Sequence, residues 1–129
     1  MRWLVILCLG VLAGCRGDET LTGYGAAERV WVLQSIDGTA FSAHAELAFP
    51  EAGKIAGRGP CNSFAAEQSS PYPWFEADNI RATRMACPDL EQEAAFFEAL
   101  SAMSLSEVGP EILILSTDTG REMIFKPAE

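Results

Sequence analysis

From residue 29 to the C-terminus, apolar positions come in short runs or alternate with polar ones, and turn residues interrupt them every few positions. That pattern predicts an antiparallel sheet of short strands. Residues 30–36 carry Val30, Trp31, Val32, Leu33 and Ile36 and stop at the turn dipeptide Asp37-Gly38. Ala45, Leu47 and Phe49 alternate with His44, Glu46 and Ala48, which predicts one inward and one solvent-facing side. Residues 50–53 turn the chain into a return strand at 54–57. Residues 62–68 and 74–80 read as two further strands, and Pro71 and Pro73 in the connection place it at an edge or rim, because proline has no N–H for a sheet ladder.

One segment changes period. Leu90, Ala94, Phe97 and Leu100 recur at helical spacing, with Phe96 and Met103 widening the stripe. Pro88 suits a first helical turn, and Asp89 and Glu91 complement the positive end of the dipole. Strands at 104–108, 112–116 and 122–126 close the chain. The expected order is five strands, one helix and three strands, a mainly β (α+β) domain with Trp31, Leu33, Leu47, Phe49 and Phe97 meeting at its centre.

Residues 1–14 have a different character. Met1 and Arg2 give a positive start, an apolar run follows, and Leu12-Ala13-Gly14 set small residues just before Cys15. This reads as a lipoprotein signal peptide, too short to span a bilayer. Cys15 is the expected lipid attachment site: its thiolate takes a diacylglycerol group as a thioether, and each buried methylene contributes about 0.8 kcal/mol. An ordinary secretory leader is the alternative, but such a leader has no need of a cysteine there. Arg16 stands where lipoproteins retained in the inner membrane typically carry Asp, which favours the outer membrane, facing the periplasm. Residues 15–28, rich in Gly, Thr and acidic side chains, read as a lipidated flexible tether, poorly ordered, with the folded domain at 29–129.

Composition narrows the partners. The chain has 129 residues and a formal net charge of −9, which becomes one unit more negative when Arg2 leaves with the leader. A single domain of that sign repels phosphate backbones, so nucleic acid is not expected as a partner. No Lys or Arg lies between Arg84 and Arg121, where Asp89, Glu91, Glu93, Glu98, Glu107, Glu111 and Asp118 all fall. That stretch reads as a solvated face, with a docking surface for a basic partner as the alternative.

Trp31-Val32-Leu33 with Ile36-Asp37-Gly38, the run from Gly57 through Pro60-Cys61-Asn62 to Phe64, Thr83-Arg84-Met85-Ala86-Cys87-Pro88, then Phe97 and Leu100, and finally Leu113-Ile114-Leu115 before Gly120 together resemble the META domain family, which includes heat-inducible HslJ-like proteins. The Gly-x-x-x-Cys-Asn and Met-Ala-Cys-Pro segments, in that order with a helix after the second, are the specific part. Pro60 stands where members commonly have Gly. The resemblance implies a small antiparallel META-type β-barrel-like sheet with one packed helix after the fifth strand, often behind a lipoprotein signal and associated with envelope stress. It supplies no defined biochemical activity.

Cys8 leaves with the leader and Cys15 is acylated, so Cys61 and Cys87 remain as an even pair in an oxidising compartment, most simply a disulfide. Two cysteines and one histidine without paired spacing do not make a zinc site, and a catalytic thiol needs an adjacent base, for which His44 is the only imidazole. His44 is expected on the solvent face of its strand beside Glu46, and Glu91 and Glu93 on different sides of the helix. No glycine-rich phosphate loop leads from strand to helix, and no metal or other cofactor is expected. Tyr72, Trp74 and Phe75 form the one aromatic cluster on a loop: Trp74 and Phe75 capping the barrel as core, or, with Tyr72, a rim that captures a partner strand or apolar ligand.

The expected function is that of a non-enzymatic, stress-associated envelope lipoprotein. It would be held at the membrane through the lipid on Cys15 and would bind or steady an envelope protein partner. The alternative is a small-molecule or lipid-binding barrel in the periplasm. A filled interior favours the first and an apolar cavity of several hundred cubic ångströms the second.

Overall fold

The computed structural model describes residues 17–129, so the leader, the lipobox and Cys15 lie outside the described residues. The strands are β1 (Trp31–Ile36), β2 (Thr39–Ala40), β3 (Glu46–Ala48), β4 (Gly53–Arg58), β5 (Ser63–Gln68) and β6 (Asp78–Ala82), then helix α1 (Leu90–Ala102), then β7 (Leu105–Val108), β8 (Leu113–Ser116) and β9 (Glu122–Pro127). They form one sheet in the order β6-β5-β4-β3-β1-β9-β8-β7, with β2 paired to β1 as a short hairpin return. Neighbouring strands run antiparallel, and the sheet curls into a half-barrel. Asp37 and Gly38 hold φ of 52° and 80°, the positive values a two-residue hairpin loop demands, so the turn read at that dipeptide is there.

β2 was not expected. With it, six strands precede the helix rather than five. The strand expected at 74–80 also divides. Only Asp78–Ala82 pairs with β5, while the chain at 73–75 runs along β7: Phe75 N–H donates to Ser104 C=O at 3.0 Å, Ser106 N–H donates to Pro73 C=O at 2.7 Å, and Trp74 bridges to Leu105. Alternation alone does not say which partner a segment takes, and here it changes partner within a few residues.

The core lies between the concave face of the sheet and α1. Trp31, Leu47, Phe49, Ile55, Leu113, Leu115, Met123 and Phe125 supply the sheet side, as the alternation predicted for Leu47 and Phe49. The helix is rotated from the expected stripe. Glu93, Phe96, Ala99, Leu100 and Met103 face inward, whereas Leu90 is 45% exposed and Ala94 also meets solvent. Phe97 is half-buried at the edge, its ring edge-on to Phe64 with centroids 5.1 Å apart. Phe96 is the central aromatic, fully buried and within 5.6 Å of the Phe64 ring. Counting Leu90 and Ala94 as inward pulled the predicted face around the helix; the charge at Glu93 hid the true one.

The N-terminal boundary also moves. Short 3₁₀ turns at Leu21–Tyr24 and Ala26–Glu28 fold against the sheet, with Leu21 and Ala26 fully buried. Trp31 donates its indole Nε1–H to the Ala26 carbonyl at 3.0 Å, which satisfies the one polar atom of a buried ring. The segment read as a tether up to Glu28 is therefore part of the folded unit from Leu21 onward. A lone leucine among glycines and threonines carries no periodicity, and its burial is decided by tertiary contact.

Candidate functional site

Cys61 and Cys87 are joined, their Cα atoms 5.6 Å apart, well inside the span a disulfide requires. The bridge ties the approach to β5 to the approach to α1. Beside it sits a network that the pattern of the sequence did not indicate. Glu93, only 6% exposed, turns from the first turn of α1 toward the loop before β5. Its Oε2 accepts the backbone N–H groups of Cys61 and Asn62, both at 2.7 Å, and its Oε1 accepts Asn62 Nδ2–H at 2.5 Å. Asn62 in turn accepts the Met85 N–H at 2.6 Å and the Thr83 hydroxyl at 2.9 Å on Oδ1, and Nδ2 also donates to the Met85 carbonyl at 3.1 Å. Gly59 completes the cradle: a Cβ there would stand 2.8 Å from Glu93 Oε2.

This arrangement cross-links three stretches of chain. Two backbone donors and one side-chain amide converge on one carboxylate, a way of satisfying loop N–H groups that have no ladder partner. Both Glu93 oxygens are thereby committed to the 61–62 segment. The signal for Glu93 was present as a spacing: positions 93, 96, 100 and 103 share one helix face, and three of the four are apolar. A lone acidic residue on an otherwise apolar stripe is expected to face a buried donor.

The aromatic cluster is split by the fold. Phe75 is 3% exposed and belongs to the core, in line with the capping role. Tyr72 is half-buried, its hydroxyl accepting the Val108 N–H at 3.2 Å and its ring stacked on Tyr24 at 4.4 Å between centroids. Trp74, expected to cap with Phe75, instead leaves 58% of its surface exposed. Tyr24, which the sequence pattern places in the tether, joins this group through its stack on Tyr72.

His44 stands on the solvent face, its Nε2 3.2 Å from Glu46 Oε2, and Cys61 carries no free thiol to meet it. The acidic stretch between Arg84 and Arg121 is not uniformly solvated. Glu93 is buried, and Glu98 accepts Arg121 in a bidentate pair at 2.7 and 3.0 Å while the same guanidinium reaches Asp37 at 3.1 Å. The hydrogen bond from Arg121 holds the Glu98 carboxyl below its usual range. On the opposite part of the sheet, the hydrogen bond from Arg81, helped by Lys54, lowers Glu67 in the same way.

Solved structures share this fold. An NMR structure of a protein from Burkholderia xenovorans matches with a TM-score of 0.63 and 24% identity, covering 80% of this chain and 83% of that one. A second NMR structure matches with a TM-score of 0.61 and 23% identity over 78% of this chain and 90% of the other. The crystal structure of a DUF4847 family protein from Bacteroides vulgatus gives a TM-score of 0.51 at 14% identity, covering 64% of this chain and 57% of that one. These likenesses are of fold. None of the curated proteins matches the chain. The META domain model matches residues 21–129, beginning at the buried Leu21 and taking in the disulfide, the Asn62–Glu93 network and the final strand. With its half-barrel, single helix and bridged Cys-Asn and Cys-Pro segments accounted for, the chain belongs to the META domain family.

Proposed function

We propose that this chain is a lipid-anchored envelope protein whose META domain binds or steadies other envelope components, without catalysing a reaction itself, and serves in stress. The observation that carries the reading is the Cys61–Cys87 bridge, built into the junction of sheet and helix. A disulfide in that position suits an oxidising compartment, and the Leu12-Ala13-Gly14-Cys15 leader supplies the route there. The interior adds support: Trp31, Leu33, Leu47, Phe49, Phe96 and Phe125 pack together where a ligand-carrying barrel would keep space. Arg16 favours the outer membrane, facing the periplasm.

Two measurements test the reading. Metabolic labelling with a fatty acid should mark the wild-type chain, and Cys15→Ser should abolish the label and leave the precursor uncleaved or the protein released from membranes. A wild-type chain that takes up no label refutes the anchor. Crosslinking in intact envelopes should capture a defined envelope protein; turnover of a small molecule by the purified chain, lost on a single substitution, would refute the non-enzymatic assignment.

A further inference from the structure

The end of the domain where the chain enters is also the end that exposes its aromatic side chains. Tyr72 N–H donates to the Glu19 carbonyl at 2.7 Å, and Thr20 bridges to Pro71. Tyr24, 55% exposed, stacks on Tyr72 with an interplanar angle of 16°, and Trp74, 58% exposed, lies on the same loop. Tyr24 also borders a surface depression with Val108 and Pro110. Because Tyr72 is fastened to Glu19, the aromatic end and position 15 are tied by a very short length of chain. Four residue steps separate Cys15 from Glu19, at most about 14 Å fully extended.

We propose that this end of the domain is a membrane-facing surface, with Tyr24, Tyr72 and Trp74 at the headgroup level of the bilayer that receives the lipid on Cys15. The proposal rests on the lipid-anchor reading above. Amphipathic Tyr and Trp rings favour the membrane–water interface, where the ring body leaves water and the polar edge keeps it. The reach of residues 15–19 keeps the surface within a short distance of a headgroup layer that is itself about 6 Å deep on each side of the hydrocarbon. The folding of residues 21–28 removes the slack that a longer tether would give. The partner is a zwitterionic lipid surface rather than an anionic one. Among the described residues around this end Asp18, Glu19 and Glu28 are exposed, and the basic Arg29 pairs with Glu111 at 3.7 Å; in sequence, Arg16 beside Cys15 is balanced by Asp18 and Glu19.

Tryptophan emission reads this directly. Trp3 leaves with the leader, Trp31 is fully buried, and Trp74 is the exposed reporter of the mature chain. The lipidated full-length product, with its fatty acids verified by intact mass, is reconstituted into phosphatidylcholine vesicles whose acyl chains are brominated near the headgroup. Trp74 emission should fall about twofold relative to unbrominated vesicles, as for a ring at interfacial depth. Trp74→Phe, which leaves Trp31 alone, should abolish the quenching, and Tyr24→Ser should weaken it. Equal emission in both vesicles from a verified lipidated chain overturns the surface and leaves the anchor standing. Shielding of Trp74 that grows with protein-to-lipid ratio overturns it in favour of a second copy of the chain. Absence of fatty acid on Cys15 refutes the anchor reading, and the proposal falls with it.

Discussion

Replacing Glu93 with Gln keeps the shape of the side chain and alters only what it offers to its partners. The carboxylate accepts three N–H donors, two from backbone and one from Asn62. A glutamine has one oxygen. If that oxygen keeps the Cys61 and Asn62 N–H groups, the new amide nitrogen faces Asn62 Nδ2 donor to donor. Turning Asn62 over to present its oxygen forfeits its bonds from Thr83 and Met85. One contact is lost in the first arrangement and two in the second, and the bonds that remain to position 93 fall from charge-assisted to neutral, which roughly halves each. A hydrogen bond to a charged group contributes about 1.5–3 kcal/mol and a neutral one about 1 kcal/mol, so after relief of the charge's own desolvation the net loss is about 3 kcal/mol.

In urea, where a small domain's slope is about 1–3 kcal/mol per molar, the unfolding midpoint should fall by about 1–3 M. Unfolding is followed with the disulfide intact, by the fluorescence of buried Trp31 and by circular dichroism. Glu91→Gln, on the exposed side of the same turn, is the control and should cost no more than the ~0.3–1 kcal/mol of its interaction with the helix dipole, a much smaller shift. A shift of less than about 0.3 M for Glu93→Gln, with an unchanged slope, would refute the claim that this carboxylate holds the loop before β5.

Reducing the Cys61–Cys87 bridge, which spans a sequence separation of 26, should destabilise the domain by about 3.5 kcal/mol in the chain-entropy model. Calorimetry with and without reductant checks this, alongside intact mass, which should be lighter by two hydrogen atoms when oxidised. Phe96→Ala should cost about 3–5 kcal/mol and the half-buried Phe97→Ala clearly less; equal losses in chemical denaturation would mean that the inward face of α1 is misassigned. The Glu67 and Glu98 carboxyls lie below their ordinary 4.5 because Arg81 and Arg121 donate hydrogen bonds to them. Their contribution is complete above that unfolded value and is lost as pH falls through the lower folded values. Arg121→Gln should therefore flatten the acid limb of a melting-temperature profile, and an unaltered limb would contradict the pairing.

How much of this was legible in the sequence depended on what each residue's role required. Strands whose alternation matches a one-sided burial, such as the one holding Leu47, were readable because period and environment agree. So were the Asp37-Gly38 turn and the cysteine pair, where the chemistry of the residue restricts the outcome. Leu21 and Trp74 were not, and for Glu93 the spacing with Phe96, Leu100 and Met103 marks the face but not the partners it meets. Leu21 is buried by contacts with a sheet far along the chain, and Trp74 bridges to Leu105 of β7, a strand that lies beyond the helix. Glu93 faces inward because a loop some thirty residues earlier presents donors to it. The helix face was misread for the same reason: a charged side chain on the inward stripe is intelligible only together with the segment it satisfies.

The position of β9 in the strand order constrains how the polypeptide reaches this state. Trp31 through Ile36 pair with Pro127 back to Met123, and β9 stands between β1 and β8. One side of the first long strand thus waits for β9, and until residues near 127 are in place, β7 and β8 join the earlier chain only through the 73–75 segment that runs along β7. Such pairing across nearly the whole chain makes closure late and slow.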